Sequence, residues 1–127
     1  MLRLIYTSFV LMLCSQTAVA VTAYAVADDN FELPDHLVEI NLETGDFISK
    51  GQLPDPYIAV EGLAIAENGT LYGADDNTKT LVQINTNEGR AFAVANANQN
   101  FGFGAIPDSY DFGMSFSCNN NLYLVVK

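Results

Sequence analysis

The chain states one pattern more than once. YAVADDN at residues 24–30 returns as LYGADDN at 71–77, LVEINLETG at 37–45 returns as LVQINTNEG at 81–89, and GLAIAENGTLY at 62–72 is echoed by GMSFSCNNNLY at 113–123. The offsets are 47, 44 and 51 residues. A period of roughly 40–50 residues, made of short apolar runs and turn residues, describes a supersecondary unit that buries its apolar faces only by stacking on its neighbours. Such a chain builds its core between units rather than inside one of them.

The fullest unit runs over residues 60–97. VEGLAIA ends at Glu67-Asn68-Gly69, and Asn-Gly between apolar runs signals a hairpin; a type I′ turn, with both central residues at positive φ, is the expected form. Residues 70–74 give the second strand and Asp75-Asp76-Asn77-Thr78 the next turn, where short side-chain oxygens bond local amides. Residues 80–86 alternate, with Leu81 and Gln83 on one face and Val82, Ile84 and Thr86 on the other. Asn87-Glu88-Gly89 turns the chain into a fourth strand at 91–95. Four antiparallel strands joined by tight turns make one β-propeller blade.

The flanking copies are partial. Residues 21–52 offer strands at 24–27, 36–41 and 46–49, and residues 111–127 offer strands at 114–117 and 122–126. The expected fold is therefore all-β, an incomplete propeller of four-stranded antiparallel blades with nine strands, or about two and a quarter blades. Closed propellers use roughly four to eight. An unclosed stack leaves apolar faces bare, so the expectation is a truncated piece of a longer protein, with missing blades or self-association completing the closure.

Ahead of these repeats, residues 1–20 carry Arg3, an apolar run over 4–14, a polar step and Ala18-Val19-Ala20. That order predicts a helical signal peptide cleaved after Ala20, and a secreted or periplasmic protein. The run is about half of what a bilayer-crossing helix needs, so no stable membrane span is expected after cleavage. Residues 21–127 then hold all fifteen acids against Lys50, Lys79, Arg90 and Lys127, a net charge of −11. A surface of that sign gains nothing from counterion release on nucleic acid, which excludes nucleic-acid binding and favours cations or basic partners.

Cysteine and histidine are too few for most site chemistry. Cys118 is the one cysteine beyond the signal peptide, which excludes an internal disulfide in the processed chain, and His36 is the one histidine. A zinc site wants three or four such ligands, and a cysteine nucleophile wants an adjacent base. No catalytic residue is predicted.

Residues 60–84 resemble the NHL type of propeller repeat. The matching residues are Gly62, Leu63-Ala64-Ile65, Gly69, Leu71-Tyr72, Asp75, Asn77 and Leu81-Val82-Gln83-Ile84, with Lys79 displaced from the basic position of that pattern. Lactonase-like and phytase-like secreted propellers share most of these features. Val60-Glu61-Gly62-Leu63 looks like the Glu-Gly segment that opens a blade in those proteins, although Leu63 stands where the lactonase pattern has proline. In the lactonase-like group that glutamate binds a divalent cation, so the resemblance implies Glu61 as a calcium ligand. The internal repeat matches Glu61 with Asp111, giving two candidate metal carboxylates in successive blades, and calcium takes several such oxygens. The competing reading is that each acid caps the backbone of the adjacent blade. The doublets Asp28-Asp29 and Asp75-Asp76 are explained by turn chemistry, with peripheral calcium binding as the other reading. Residues 96–110 are the least repetitive stretch, a candidate recognition loop or a segment that pins its rings to a blade edge. Two functions fit: a non-catalytic scaffold for protein or small-molecule ligands, and a fragment of a calcium-dependent lactonase-like or phytase-like hydrolase.

Overall fold

In the computed structural model, which describes residues 21–27, 33–94, 101 and 111–127, the chain is all-β. The predicted signal peptide, the doublet Asp28-Asp29 and all of 96–110 except Phe101 lie outside the described residues. The nine strands are β1 (Thr22–Ala27), β2 (His36–Asn41), β3 (Phe47–Gln52), β4 (Val60–Ile65), β5 (Leu71–Asp75), β6 (Thr80–Asn85), β7 (Arg90–Ala93), β8 (Phe112–Phe116) and β9 (Leu122–Val126). They pair antiparallel in three sheets, β1-β2-β3, β4-β5-β6-β7 and β8-β9, which we call the first, middle and last sheets. Among the described residues the sheets form no closed ring, and no helix is long and apolar enough to cross a membrane.

Period-2 alternation decides what each face touches. In β6, Val82 and Ile84 are buried while Gln83 between them is exposed. Val60, Leu71, Val82, Ile84 and Ala91 of the middle sheet join Leu37 and Leu53 of the first region in one buried cluster, edged by Tyr24, Val26, Tyr57 and Leu63. Each large aliphatic side chain fully buried there contributes about 1.5–3 kcal/mol. The opposite face of the middle sheet carries Gly62, Ala64, Tyr72 and Ala74 by register and meets the last sheet. The rings of Tyr72 and Phe116 lie 5.7 Å apart across that seam, tilted by 58°. A Cβ on Gly62 would stand 3.1 Å from both the Phe112 carbonyl oxygen and Met114 Cγ, so the missing side chain lets β4 and β8 approach.

Two turn forms recur. Asn41 Oδ1 accepts hydrogen bonds from the Glu43 and Thr44 amides at 2.9 and 3.3 Å, and Asn85 Oδ1 accepts one from the Asn87 amide at 2.9 Å. Both turns close on a left-handed glycine, Gly45 (φ +78°) and Gly89 (φ +65°). At the β4–β5 hairpin the Ala66 amide donates to Thr70 and the Gly69 amide to Ala66, both at 2.9 Å. Only Gly69 of that loop has positive φ, so the expected type I′ turn is replaced by a three-residue loop, a type I turn followed by a left-handed residue. The β8–β9 hairpin repeats it, with Asn120 at φ 59° where the other loop has glycine. Asn120 Oδ1 also accepts the Glu67 amide at 3.2 Å, tying the two hairpin tips together.

The ladder corrects one repeat equivalence. Tyr24 pairs with Glu39, and Tyr72 with Gln83. Since Glu39 and Gln83 are the matched residues of the 44-residue repeat, Tyr24 takes the place of Tyr72 and not that of Leu71. One residue of slip on a strand exchanges its faces, so the apolar pattern of the partner strand, not the local likeness of YAVADDN and LYGADDN, sets the register.

Candidate functional site

Glu61 and Asp111 both lie at the seam between the middle and last sheets, but they are not equivalent. Val60 pairs with Asp75 and Gly62 with Ala74, leaving Glu61 as the unpaired residue of a β-bulge. In β8 the ladder is continuous, with Phe112 opposite Val126 and Gly113 opposite Val125. Counted from Gly62 and Gly113, buried Phe112 occupies the position of buried Val60. Asp111 exchanges backbone hydrogen bonds with Lys127 at 3.1 and 3.3 Å and so corresponds to Ala59, whose carbonyl accepts the Asp76 amide at 2.7 Å. The expected equivalence of Glu61 and Asp111 is therefore corrected: one precedes its glycine by one residue, the other by two, and the bulge makes Glu61 an insertion. A bulge re-aims its side chain. Here Glu61 Oε2 accepts the Phe112 amide at 3.0 Å, capping the backbone of the neighbouring sheet.

The electrostatics follow from that position. Desolvation raises the Glu61 pKa above its ordinary 4.5, the Phe112 N–H opposes the rise, the nearby Asp76 and Asp111 charges add to it, and Lys79 lowers it. The fold thus brings Glu61, Asp76 and Asp111 within electrostatic reach of one another, with Lys79 beside them. Among the described residues, no three His, Cys, Asp or Glu side chains converge in an arrangement that could hold a metal ion.

Folding favours the protonated form of Glu61, because its folded-state pKa is the higher one, and by a small margin, because solvent still reaches this exposed side chain. Its contribution to stability is full below the ordinary value and is lost as pH rises through the raised value. Glu61→Gln keeps an acceptor for the Phe112 N–H and removes the charge. The variant is expected to match the parent near about pH 4 and to exceed it near about pH 7 in urea denaturation. A glutamine variant less stable than the parent at the higher pH contradicts this account.

The second acidic motif is consumed by structure. Asp75 is fully buried; its Oδ1 accepts the Ala59 amide at 3.1 Å, and its Oδ2 accepts the Thr78 amide at 2.7 Å and the Thr78 hydroxyl at 2.6 Å. Asp76 pairs with Lys79, and Asn77 Nδ2 donates to the Pro56 carbonyl at 2.9 Å. The motif therefore shapes its own turn and also holds the segment leading into β4. Lys79 was the residue whose role the sequence concealed. It is 7% exposed, with Nζ 5.7 Å from the centre of the Phe112 ring, so it pairs with Asp76 within the turn and links the turn to the last sheet by a cation–π contact.

The remaining candidates are dispersed. His36 opens β2, with Nδ1 2.8 Å from the Pro34 carbonyl oxygen, whereas exposed Cys118 sits in the β8–β9 turn, so they stand on the two outer sheets. Phe101 rests against Phe112 with ring centres 5.1 Å apart and their planes tilted by 55°. A shallow depression between the tied hairpin tips is lined by Ile65, Glu67, Phe116, Cys118 and Asn120. An open apolar groove of about 230 Å³ lies on the outer face of the first sheet, against Ala27, Leu33, Val38, Ile40 and Phe47.

Comparison with known protein families, with curated proteins and with solved structures gave no match.

Proposed function

We propose that this chain is a secreted or periplasmic partial β-propeller that acts as a non-catalytic scaffold, presenting its turns to a protein or small-molecule ligand. The observation that carries this reading is the use of the acids. Glu61 caps the next sheet through the Phe112 amide, and every oxygen of Asp75 is engaged by a backbone or hydroxyl donor. Carboxylates spent in this way hold repeats together, as a blade motif does. The NHL-like, lactonase-like or phytase-like affinity of the repeat belongs to the same proposal, supported by the face-to-face stacking of successive antiparallel sheets.

A second reading draws on one observation: Asp76 and Asp111 raise the Glu61 pKa, and a bound cation would relieve that repulsion. Glu61 and Asp111 would then be partial calcium ligands of a lactonase-like or phytase-like hydrolase. Calorimetric titration with calcium up to about millimolar concentration, with lactone and phytate hydrolysis assayed in the same samples, separates the two. The scaffold reading predicts no binding heat and no turnover. Saturable heat lost in Glu61→Gln, or turnover dependent on calcium, favours the hydrolase.

A further inference from the structure

We infer that the two outer faces of the stack are complementary docking surfaces, and that the occupant of each is a second copy of this chain, joined head to tail. The inference rests on the stacked-repeat reading and not on any ligand of the scaffold.

The molecule contains the same face-to-face junction twice. At each, the face bearing Tyr24, Val26 and Leu37, or its counterpart bearing Tyr72, Ala74 and Gly62, receives the opposite face of the following sheet. The last sheet carries the receiving face again. By the 51-residue repeat, Gly113 stands for Gly62, Ser115 for Ala64, Tyr123 for Tyr72 and Val125 for Ala74, and the pairings Gly113↔Val125 and Ser115↔Tyr123 put all four on one face. There it is bare: Tyr123 is 58% and Val125 64% exposed, and the nearest atom to a Cβ on Gly113 is 4.0 Å away, in its own sheet.

The first sheet carries the matching inserting face. Val38 and Ile40 stand for Val82 and Ile84, and Phe47 for Ala91, the residues by which the middle sheet enters its own junction. On the first sheet the exposed part of that face is Phe47, 58% exposed at the rim of the apolar groove, with Ile40 half-buried and Val38 at its buried floor. Neither strand face carries an acid, in a chain with fifteen acids and five basic residues. Self-repulsion is thereby kept off both docking surfaces. Because the two faces differ, the contact is heterologous and either closes a ring or continues as a filament.

Sedimentation velocity in reducing buffer, which keeps the exposed Cys118 thiol from crosslinking, tests this with Phe47→Glu and Val125→Glu. Both positions are exposed, so circular dichroism should be unchanged; Phe47→Ser and Val125→Ser replace any glutamate variant that unfolds. The parent chain should associate at micromolar concentration, each variant alone should lose at least about tenfold in affinity, and an equimolar mixture should recover a 1:1 pair through the one intact junction. A monomeric parent, a variant with parental mass, or a mixture that stays monomeric overturns the proposal. None of these results bears on the calcium titration, so the scaffold reading stands or falls separately.

Discussion

Asp75→Ala is expected to cost about 3 kcal/mol, more than half of the chain's stability if that lies near the lower end of the usual 5–15 kcal/mol. The side chain is fully buried and receives three hydrogen bonds, one from the Ala59 amide and two from Thr78. Truncation removes the acceptor and leaves the part-buried Ala59 and Thr78 amides without that partner, each at a cost in the lower half of the roughly 1–3 kcal/mol of an orphaned buried donor. The damage should spread beyond the turn, because Ala59 precedes β4 and β4 contacts the last sheet. Asp75→Asn should cost roughly half as much, since the amide keeps one acceptor oxygen while its NH₂ faces a donor. Urea denaturation followed by circular dichroism measures both. A loss below about 1 kcal/mol in the alanine variant means that these bonds do not hold the turn.

The sequence carried most of the fold. The nine strands were legible because the alternation of Val82, Gln83 and Ile84 and the turn residues between runs are local signals. The register of β1 was not, since the shared Ala-Asp-Asp-Asn aligns Tyr24 with Leu71 while the pairing of Tyr24 with Glu39 is decided by which faces reach the core. The hairpin geometry was half legible. Asn68-Gly69 marks the turn, but the bond from the Gly69 amide to Ala66 makes the loop three residues long.

The candidate site was less legible for a related reason. A bulge inserts one residue and shifts the alternation of its strand; matching acid to acid paired Glu61 with Asp111, although one precedes its glycine by one residue and the other by two. The capping role of Glu61 on the adjacent sheet was one of the two readings the sequence allowed, and its bond to the Phe112 amide realises it. In the sequence Lys79 stands only as a basic residue displaced from its place in the repeat pattern. Its burial depends on Phe112, 33 positions away, and such a contact exists only once the sheets have stacked.

The repeats stack face against face, and two glycines that the repeat makes equivalent test that stacking. Gly45 and Gly89 close matching turns in left-handed conformations, so an alanine at either meets the same backbone penalty of about 1–2 kcal/mol. Their surroundings differ. Nothing lies within 4 Å of a Cβ on Gly45, whereas a Cβ on Gly89 would be 2.6 Å from the Gly51 carbonyl oxygen and 2.9 Å from Gly51 Cα, backbone of the preceding sheet. Backbone on both sides cannot yield by changing a rotamer, so relief requires the first and middle sheets to part. The most direct measurement is the difference in unfolding free energy between Gly89→Ala and Gly45→Ala. Stacked sheets predict that Gly89→Ala loses about 3 kcal/mol, roughly 1–2 kcal/mol more than Gly45→Ala. Equal losses from the two variants would contradict the stacking.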